Sequence, residues 1–454
     1  MSLDRLPPFL WGAATSSHQI DGNNQFNNWW AWEEKGAIEG GARSGNTADH
    51  WNRFREDLDL CVSLGLNSYR FSVEWSRLEP REGHWDSASF DWYHQLINEC
   101  LSRNIIPMVT LHHFTLPQWQ SEQGGFASSS ILSRFATYVE KIHAVIGDRV
   151  KLWCTINEPM VFVSGSYLAG FMPPGICAPV MAAEANRNLL AAHVQAYDFL
   201  HRETNHEIQV GVAHNLMDFF ADHKWHLLEQ LIASRAHSFY NKGWLDALTG
   251  KKQKFGIPGL VPNPKPVLAA LNRSTVDYVG VNYYTKAYLK WHPRQPAVEG
   301  GPTLPIGATF ARKGEPRSDL EWAVHPEGFR KLLRFAASYG RPIIVTENGI
   351  ADREDRLRPQ FLYEHLRVLA QVISEGVDIR GYYHWSLIDN FEWIKGFKPR
   401  FGLYHIDYET LKRTARPSAH LYRTVIAAHQ GSGSPQVEAL EKSMRIFSQT
   451  SSKS

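Results

Sequence analysis

The 454-residue sequence has few cysteines and almost no net charge, and each of these absences argues against a class of protein. Its 4 cysteines form no C-x-x-C pair, which argues against a disulfide scaffold or a zinc knuckle and favours a reducing compartment. A formal charge of +2 provides no field that would hold nucleic acid or an anionic membrane. We therefore expect neither of these as a partner.

Internal repeats, blocks of like charge and long membrane-spanning runs are also missing. The longest uncharged window, residues 159–183, contains Pro173, Pro174 and Pro179, and it predicts a loop rather than a membrane helix. The first residues show no secretory signal pattern, so we expect a cytoplasmic protein. Residues 431–454 are polar and contain G-S-G-S-P, which predicts a flexible tail after one unit at 1–430.

Hydrophobic residues make up 43% of the chain and aromatic residues 12%, enough for a large core. Eight β-rich runs alternate with helical stretches, the clearest of which is Ala48–Leu64. The eight runs are Phe9–Ala13, Ser68–Val73, Ile106–Leu111, Lys151–Asn157, Ile208–His214, Asp277–Tyr284, Pro342–Thr346 and Gly381–Leu387. This order predicts an α/β fold, a single (β/α)8 TIM barrel with long βα loops. The stretch Lys290–Arg317, rich in Pro and Gly, predicts an insertion loop near the barrel mouth.

Two glutamates lie at the carboxyl ends of predicted strands, where TIM barrels carry their reactive groups. Glu158 follows the fourth strand in T-I-N-E-P, and Glu347 ends the seventh in V-T-E-N-G. Cleavage of a glycosidic bond needs such a pair: a protonated acid for the leaving oxygen, and a carboxylate that attacks carbon or activates water. The pair therefore indicates a glycosidase.

The segments around these glutamates resemble the acid/base and nucleophile signatures of glycoside hydrolase family 1, the β-glucosidases and their relatives. The resemblance continues in the family's order through W-G-A-A-T-S-S-H-Q-I-D-G at 11–22, Y-R-F-S-V-E-W-S-R-L-E-P at 69–80, W-S-L-I-D-N-F-E-W at 385–393 and R-F-G-L at 400–403. It implies a retaining β-glucosidase that forms a covalent glycosyl-enzyme intermediate. The implied enzyme needs no cofactor and no metal, and its partner is a small carbohydrate substrate.

The resemblance also implies the role of each site residue. Glu347 is the implied nucleophile, and Glu158 the general acid and then the general base. Arg70 and Tyr284 are expected to keep Glu347 ionised, Asn282 to lie behind the site, and the charge of Glu347 to raise the pKa of Glu158. The implied sugar-binding residues are Gln19, His113, Asn157, Trp385, Glu392, Trp393 and Phe401.

Three residues depart from the family pattern. Phe114 stands where the family often has Trp, and Thr115 where Asp is common, so one wall of the sugar pocket is expected to differ. Asp21 replaces the usual Glu, a shortening by one methylene that we expect to be tolerated.

Several alternatives compete with the β-glucosidase hypothesis. A metal-dependent hydrolase on the same fold is suggested by strand-end histidines and Asp389, but the first strand lacks a His-x-His pair. A non-enzymatic sugar-binding barrel predicts the loss of one carboxylate, yet both are present. Glu392 disfavours phosphorylated sugars, and Glu158 disfavours thioglycosides. β-Galactosidase or β-fucosidase activity stays open, as do the aglycone and the oligomeric state.

Overall fold

A computed structural model describes residues 6–251, 272–292, 306–429 and 434–451. Its strands are β1 Leu10–Ala14, β2 Ser68–Ser72, β3 Ile106–His112, β4 Leu152–Asn157, β5 Gln209–Asn215, β6 Asp218–Ala221, β7 Tyr278–Tyr283, β8 Lys286–Trp291, β9 Ile306–Thr309, β10 Ile343–Asn348, β11 Ile379–Trp385, β12 Tyr404–Ile406 and β13 Arg413–Ala415.

The α-helices in these ranges are α1 Ser17–Ile20, α2 Asn28–Glu34, α3 His50–Leu64, α4 Trp75–Leu78, α5 Ser87–Ser102, α6 Gln118–Glu122, α7 Ile131–Ile146, α8 Pro159–Val163, α9 Pro179–Glu203, α10 Leu227–Ala236, α11 Gly243–Leu248, α12 Pro326–Ala337, α13 Arg358–Ser374, α14 Pro417–Ala428 and α15 Val437–Ser451. Short 3-10 turns occur at Glu39–Gly41, Gly125–Ala127 and Trp393–Lys395, and π-helical turns at Ser164–Leu168 and His237–Lys242.

Eight parallel strands close into a barrel in the order β1-β2-β3-β4-β5-β7-β10-β11. Strand β1 closes the ring because it pairs with both β2 and β11. Each of the eight predicted β-rich runs overlaps one barrel strand, with bounds that differ by no more than 2 residues. The (β/α)8 prediction is confirmed, and the carboxyl ends of all eight strands meet at one mouth.

The helices pack their apolar faces against this barrel. In α3, Phe54, Leu58 and Cys61 recur at four- and three-residue steps, and all three are buried. Helix α3 ends at Gly65, whose φ of 75° lies in the left-handed region that glycine adopts without a Cβ clash. The helix predicted at 48–64 is therefore present, and it begins at His50.

Part of the loop predicted at 159–183 is helical. Helix α8 begins at Pro159, one residue after the end of β4, and the π-helical turn follows it without a break. Proline suits the first helical position because its missing N–H has no partner there in any case. Among the described residues, we find no helix that combines the length and apolarity needed to cross a membrane.

The predicted insertion loop at 290–317 is partly sheet. Strand β8 runs to Trp291 and pairs antiparallel with β9, and β6 completes this three-stranded sheet. The stretch 293–305 of the predicted loop lies outside the described residues.

The predicted flexible tail differs from the structure at 437–451, which forms α15. Val437, Leu440, Met444 and Phe447 recur at helical spacing, and they pack on the core, with Leu440 fully buried. The segment folds because this apolar face packs on the core. The overall polar composition of the tail gives no indication of that face. Residues 431–433 and 452–454 of the predicted tail lie outside the described residues.

Candidate active site

Glu158 lies at the point where β4 turns into α8. Its φ of 45° falls in the left-handed region, which costs a non-glycine residue on the order of 1 kcal/mol. The backbone N–H of Glu158 donates to the carbonyl of Ala213 in β5 at 2.7 Å, which holds this turn at the barrel mouth. Strained backbone of this kind clusters at functional sites, because surrounding structure must hold it.

Two amides bind the carboxylate of Glu158. Asn282 Nδ2 in β7 donates to Glu158 Oε1 at 2.9 Å, and Asn215 Nδ2 at the end of β5 donates to the same oxygen at 3.0 Å. The oxygen Oδ1 of Asn215 accepts in turn from the Tyr240 hydroxyl at 2.9 Å. The structure thus brings the predicted Asn282 to Glu158, and it adds Asn215 and Tyr240, which the sequence analysis did not assign to the site.

Glu347 in β10 has a cationic partner and a phenolic partner. Arg70 Nη1 donates to Glu347 Oε1 at 2.6 Å, and the Tyr284 hydroxyl donates to Oε2 at 2.5 Å. Arg70 is fully buried, and its Nη2 donates to Oδ1 of Asn157 at 2.7 Å. Arg70 therefore connects Glu347 to the residue that precedes Glu158.

The electrostatic environment differs between the two carboxylates. Burial and the negative charge of Glu347 raise the pKa of Glu158 to about 8, against the lowering effect of Asn282 and Asn215. Burial also raises the pKa of Glu347, and Arg70 and Tyr284 oppose that rise. The predicted direction for Glu158 is confirmed, although burial contributes more than the charge of Glu347. Burial of Glu347 did not enter the sequence-based expectation.

Glu392 and Gln19 lie side by side. Gln19 Nε2 donates to Glu392 Oε2 at 3.2 Å and to Asn390 Oδ1 at 3.0 Å, while its Oε1 accepts from the Ser16 hydroxyl at 2.6 Å. Burial and the charges of Glu347 and then Glu158 raise the pKa of Glu392 to about 8. The site thus contains two buried carboxyl groups, those of Glu158 and Glu347, a part-buried third, that of Glu392, and the buried guanidinium of Arg70, an arrangement that favours protonation of some of the carboxyls.

His113 lies among the aromatic residues of the site. Its ring is nearly parallel to those of Trp385, 5.9 Å away, and Trp393, 6.1 Å away. Burial lowers the pKa of His113 well below its usual range, so the imidazole is neutral. Asn157 Nδ2 donates to Nε2 at 3.1 Å, which places the ring proton on Nδ1, and Nδ1 has no hydrogen-bond partner in the described ranges. The imidazole therefore carries one neutral N–H donor that is buried and has no partner among the described residues.

Phe401 packs beside Tyr284, with ring centroids 6.0 Å apart and an edge-to-face angle of 80°. Trp322 lies 5.8 Å from the same tyrosine ring and extends this aromatic wall, although no sequence motif pointed to it. The wall also needs a glycine at position 349, because a Cβ there would lie 1.9 Å from the carbonyl oxygen of Trp385. The backbones of Gly349 and Trp385 therefore lie in close contact at the ends of β10 and β11.

The three departures from the family pattern all have structural consequences. Phe114 packs edge-to-face on Trp393 at 5.2 Å, and the Thr115 hydroxyl donates to buried Glu74 at 3.0 Å. Asp21 Oδ2 lies 4.0 Å from Arg77 Nε, and neither atom has a hydrogen-bond partner in the described part of the chain. Because Asp is one methylene shorter than Glu, the carboxylate at position 21 stays too far from the Arg77 guanidinium for a hydrogen bond.

Asp389, which suggested a metal site, holds the loop that carries Phe401. Its carboxylate accepts from Arg416 Nη1 and Nη2 at 2.9 and 3.0 Å and from the backbone N–H of Gly402 at 3.0 Å. Burial raises the pKa of Asp389, but hydrogen bonds from His405 and Arg416 outweigh it and bring the pKa to about 2. Among the described residues, no group of His, Cys, Asp and Glu side chains is arranged to hold a metal ion.

Known proteins share both the sequence pattern and this architecture. The family description "Glycosyl hydrolase family 1" matches residues 4–431. Beta-glucosidase A of Acetivibrio thermocellus is 32% identical over 448 residues, which cover 92% of this chain and 97% of that protein.

Two solved structures are also similar. The beta-glycosidase from Pyrococcus horikoshii has a TM-score of 0.83 and 37% identity, covering 98% of this chain and 99% of that one. The beta-glucosidase from Thermotoga maritima in complex with glucoimidazole has a TM-score of 0.84 and 30% identity, covering 92% and 98%.

Proposed function

We propose, on the premise that this chain belongs to glycosyl hydrolase family 1, that it is a retaining β-glucosidase. Its substrates are terminal non-reducing β-D-glucosyl residues of disaccharides, short cello-oligosaccharides or aryl glucosides. The observation that carries the proposal is that the carboxyl groups of Glu347 and Glu158 have different hydrogen-bond partners and different electrostatic surroundings. Glu347 contacts a buried guanidinium and a phenol, whereas the Glu158 carboxyl, among the described residues, accepts hydrogen bonds only from the amides of Asn282 and Asn215 and has a pKa raised to about 8.

In the first step, Glu347 attacks the anomeric carbon of the bound glucoside. The bond between that carbon and the glycosidic oxygen breaks, and Glu158 gives its proton to the departing oxygen. Arg70 and Tyr284 hold the Glu347 carboxylate in place for the attack. The products are a glucosyl ester of Glu347 and the free aglycone.

In the second step, the roles of the carboxyls change. Esterification removes the negative charge of Glu347 and with it the repulsion that raises the pKa of Glu158, so Glu158, which has given up its proton, stays ionised and can act as the general base. Glu158 takes a proton from water, the hydroxide attacks the anomeric carbon, and the ester bond to Glu347 breaks. Two displacements at one carbon restore the β configuration.

The sugar ring is held by the groups around Glu392. Gln19 and Glu392 offer an amide and a carboxyl to paired hydroxyls, and the neutral imidazole of His113, beside Trp385 and Trp393, belongs to the same pocket. Trp385 and Trp393 supply indole faces for the C–H surface of the pyranose, and Phe401 and Asn157 complete the pocket. No residue in this set requires a metal or an organic cofactor.

We further propose that the enzyme works in the cytoplasm on short β-glucosides released during cellulose degradation. In support, all four cysteines are unpaired, and three of them are buried in the barrel and its helix layer. We expect neither nucleic acid nor a membrane as its partner.

A panel of nitrophenyl glycosides tests the substrate assignment. We expect kcat/KM for the β-glucoside to equal or exceed the values for the β-galactoside and β-fucoside. Because one hydroxyl is often discriminated only partly, a secondary galactosidase rate is compatible with the proposal. A preference for the galactoside above about tenfold, or 1.4 kcal/mol in transition-state binding, would contradict the glucosidase assignment.

A further inference from the structure

Two hydroxyl groups fix the orientation of the amides that contact Glu158. The Tyr240 hydroxyl donates to Asn215 Oδ1 at 2.9 Å, and the Thr346 hydroxyl donates to Asn282 Oδ1 at 2.6 Å. Both carbonyl oxygens are thereby occupied, so both NH2 groups are directed at Glu158. Burial raises the pKa of Tyr240 well above its usual range, which keeps its hydroxyl protonated and able to donate.

The two amides donate to the same oxygen of Glu158. Oε1 accepts Asn282 Nδ2 at 2.9 Å and Asn215 Nδ2 at 3.0 Å, whereas Oε2 makes no hydrogen bond within the described ranges. An oxygen that already accepts two N–H groups has little remaining capacity for a proton. We infer that Tyr240 and Thr346 are positioning residues, which place the acid proton of Glu158 on Oε2.

This inference rests on the proposed glycosidase function and explains how the acid stays productive. If either amide turned over, its carbonyl oxygen would face Glu158 and accept a proton from Oε1. That hydrogen bond would retain the proton in the protein, away from the glycosidic oxygen. Turning the amide would remove the acceptor of the hydroxyl hydrogen and leave that buried donor without a partner, which disfavours the reversed state. The proton then leaves from Oε2 as the bond to the aglycone breaks.

The two positioning residues come from different elements, so each can be tested separately. Tyr240 lies in the π-helical turn His237–Lys242, and Thr346 lies in β10, one residue before Glu347. The charged and titratable groups that influence Glu158 or its partners are Arg70, Tyr240, Tyr284, Glu347 and Glu392. Substitution of Thr346 leaves all of them in place.

The experiment compares a substrate that needs acid assistance with one that does not. For Tyr240→Phe and Thr346→Val, kcat/KM is measured with phenyl β-glucoside and with dinitrophenyl β-glucoside, whose leaving group departs without a proton. We expect a loss of about tenfold with the phenyl substrate and less than about twofold with the other. The basic limb of the phenyl profile should move to higher pH, because loss of N–H donation disfavours the carboxylate.

Matched controls separate positioning from folding. Thr346→Ser keeps the hydroxyl and should retain the wild-type ratio of the two substrates. Tyr339→Phe removes a hydroxyl that donates to Asp246, not to the Glu158 network, and should leave the ratio unchanged. Thermal unfolding is measured for each variant, and if Thr346→Val does not fold, Tyr240→Phe decides the outcome.

Equal losses with both substrates, or unchanged rates in both variants, would overturn the positioning role and leave the glycosidase function intact. If the wild-type protein turned over neither substrate, the proposed function itself would be refuted.

Discussion

Arg70 Nη1 lies 2.6 Å from Glu347 Oε1, and both side chains are buried. The same guanidinium reaches Asn157 through Nη2 and Thr110 through Nε, so its planar fork connects β2, β3, β4 and β10. One buried cation therefore stabilises the proposed nucleophile and also contacts β4, the strand that ends directly before Glu158. Arginine is suited to this role because its donors have fixed geometry.

Replacing Arg70 by lysine should impair catalysis although the charge is kept. A single ammonium cannot reproduce the bonds to Glu347 and Asn157 together, so we expect kcat to fall by about 100-fold or more. Steady-state kinetics with p-nitrophenyl β-glucoside checks this. Arg103→Lys, in an ion pair on the outer helices, is the control and should keep wild-type kcat. Wild-type kcat in Arg70→Lys would show that catalysis does not need the simultaneous hydrogen bonds of the guanidinium to Glu347 and Asn157.

The pH profile of kcat/KM should be bell-shaped, with a basic limb near pH 8. Glu158 must be protonated to act as the acid, so activity is lost as pH rises through its pKa of about 8. Glu347 must be ionised, and because burial raises its pKa, activity is lost on the acid side at a higher pH than for an ordinary glutamate. A substrate with a dinitrophenyl leaving group should show a much weaker basic limb. An equally steep limb for both substrates would contradict the assignment of Glu158.

Lengthening Asp21 to glutamate should stabilise the fold. The extra methylene brings the carboxylate to Arg77 Nε, now 4.0 Å away, and forms a buried hydrogen bond worth about 1 kcal/mol. Burial raises the pKa of Asp21 to about 6, so its contribution to stability is present at low pH and is lost as pH rises through about 6. Thermal unfolding at pH 5 and pH 8 checks both statements. We expect Asp21→Asn to lose this pH dependence, and a lower Tm for Asp21→Glu would show that the site cannot accept the methylene.

Replacing Asp389 by asparagine should destabilise the loop that carries Phe401. Breaking a buried pair leaves the Arg416 guanidinium uncompensated, at a cost of about 3–5 kcal/mol. Because the pKa of Asp389 is held at about 2, its contribution is present above pH 4 and is lost as pH falls toward 2. Chemical denaturation at pH 7 measures the loss, with the exposed Asp378→Asn as control. A loss below about 1 kcal/mol would contradict the structural role, since exposed pairs contribute that little.

The positions of most site residues could be predicted from the sequence because they lie on barrel strands or directly after them. Arg70, Asn157, Asn282 and Tyr284 are of this kind. The structure brings Arg70, Asn282 and Tyr284 to Glu158 or Glu347, and it brings Asn157 to Arg70. Once eight strands are recognised, parallel packing places their ends together whatever the loops do. The position of Asn215 near the barrel mouth follows in the same way, because it is the last residue of β5. No sequence motif around it indicates a role in the site.

Residues that lie between barrel strands could not be predicted in this way. Tyr240 reaches Asn215 from a π-helical turn, and Trp322 reaches Tyr284 from the segment between β9 and α12. Their positions depend on tertiary packing, which leaves no periodic signal. Helix α15 did carry a signal in its apolar spacing, but the neighbouring G-S-G-S-P obscured it.

The central claim is that Glu347 forms the covalent intermediate, and azide rescue of Glu347→Ala tests it most directly. Without the nucleophile we expect hydrolysis to fall by at least about 10⁴-fold, and azide to restore turnover by filling the vacated space. One displacement by azide gives the α-glucosyl azide, whereas Glu158→Ala, which keeps the nucleophile, should give the β-glucosyl azide. A β product from Glu347→Ala, or hydrolysis that persists without azide, would contradict the account.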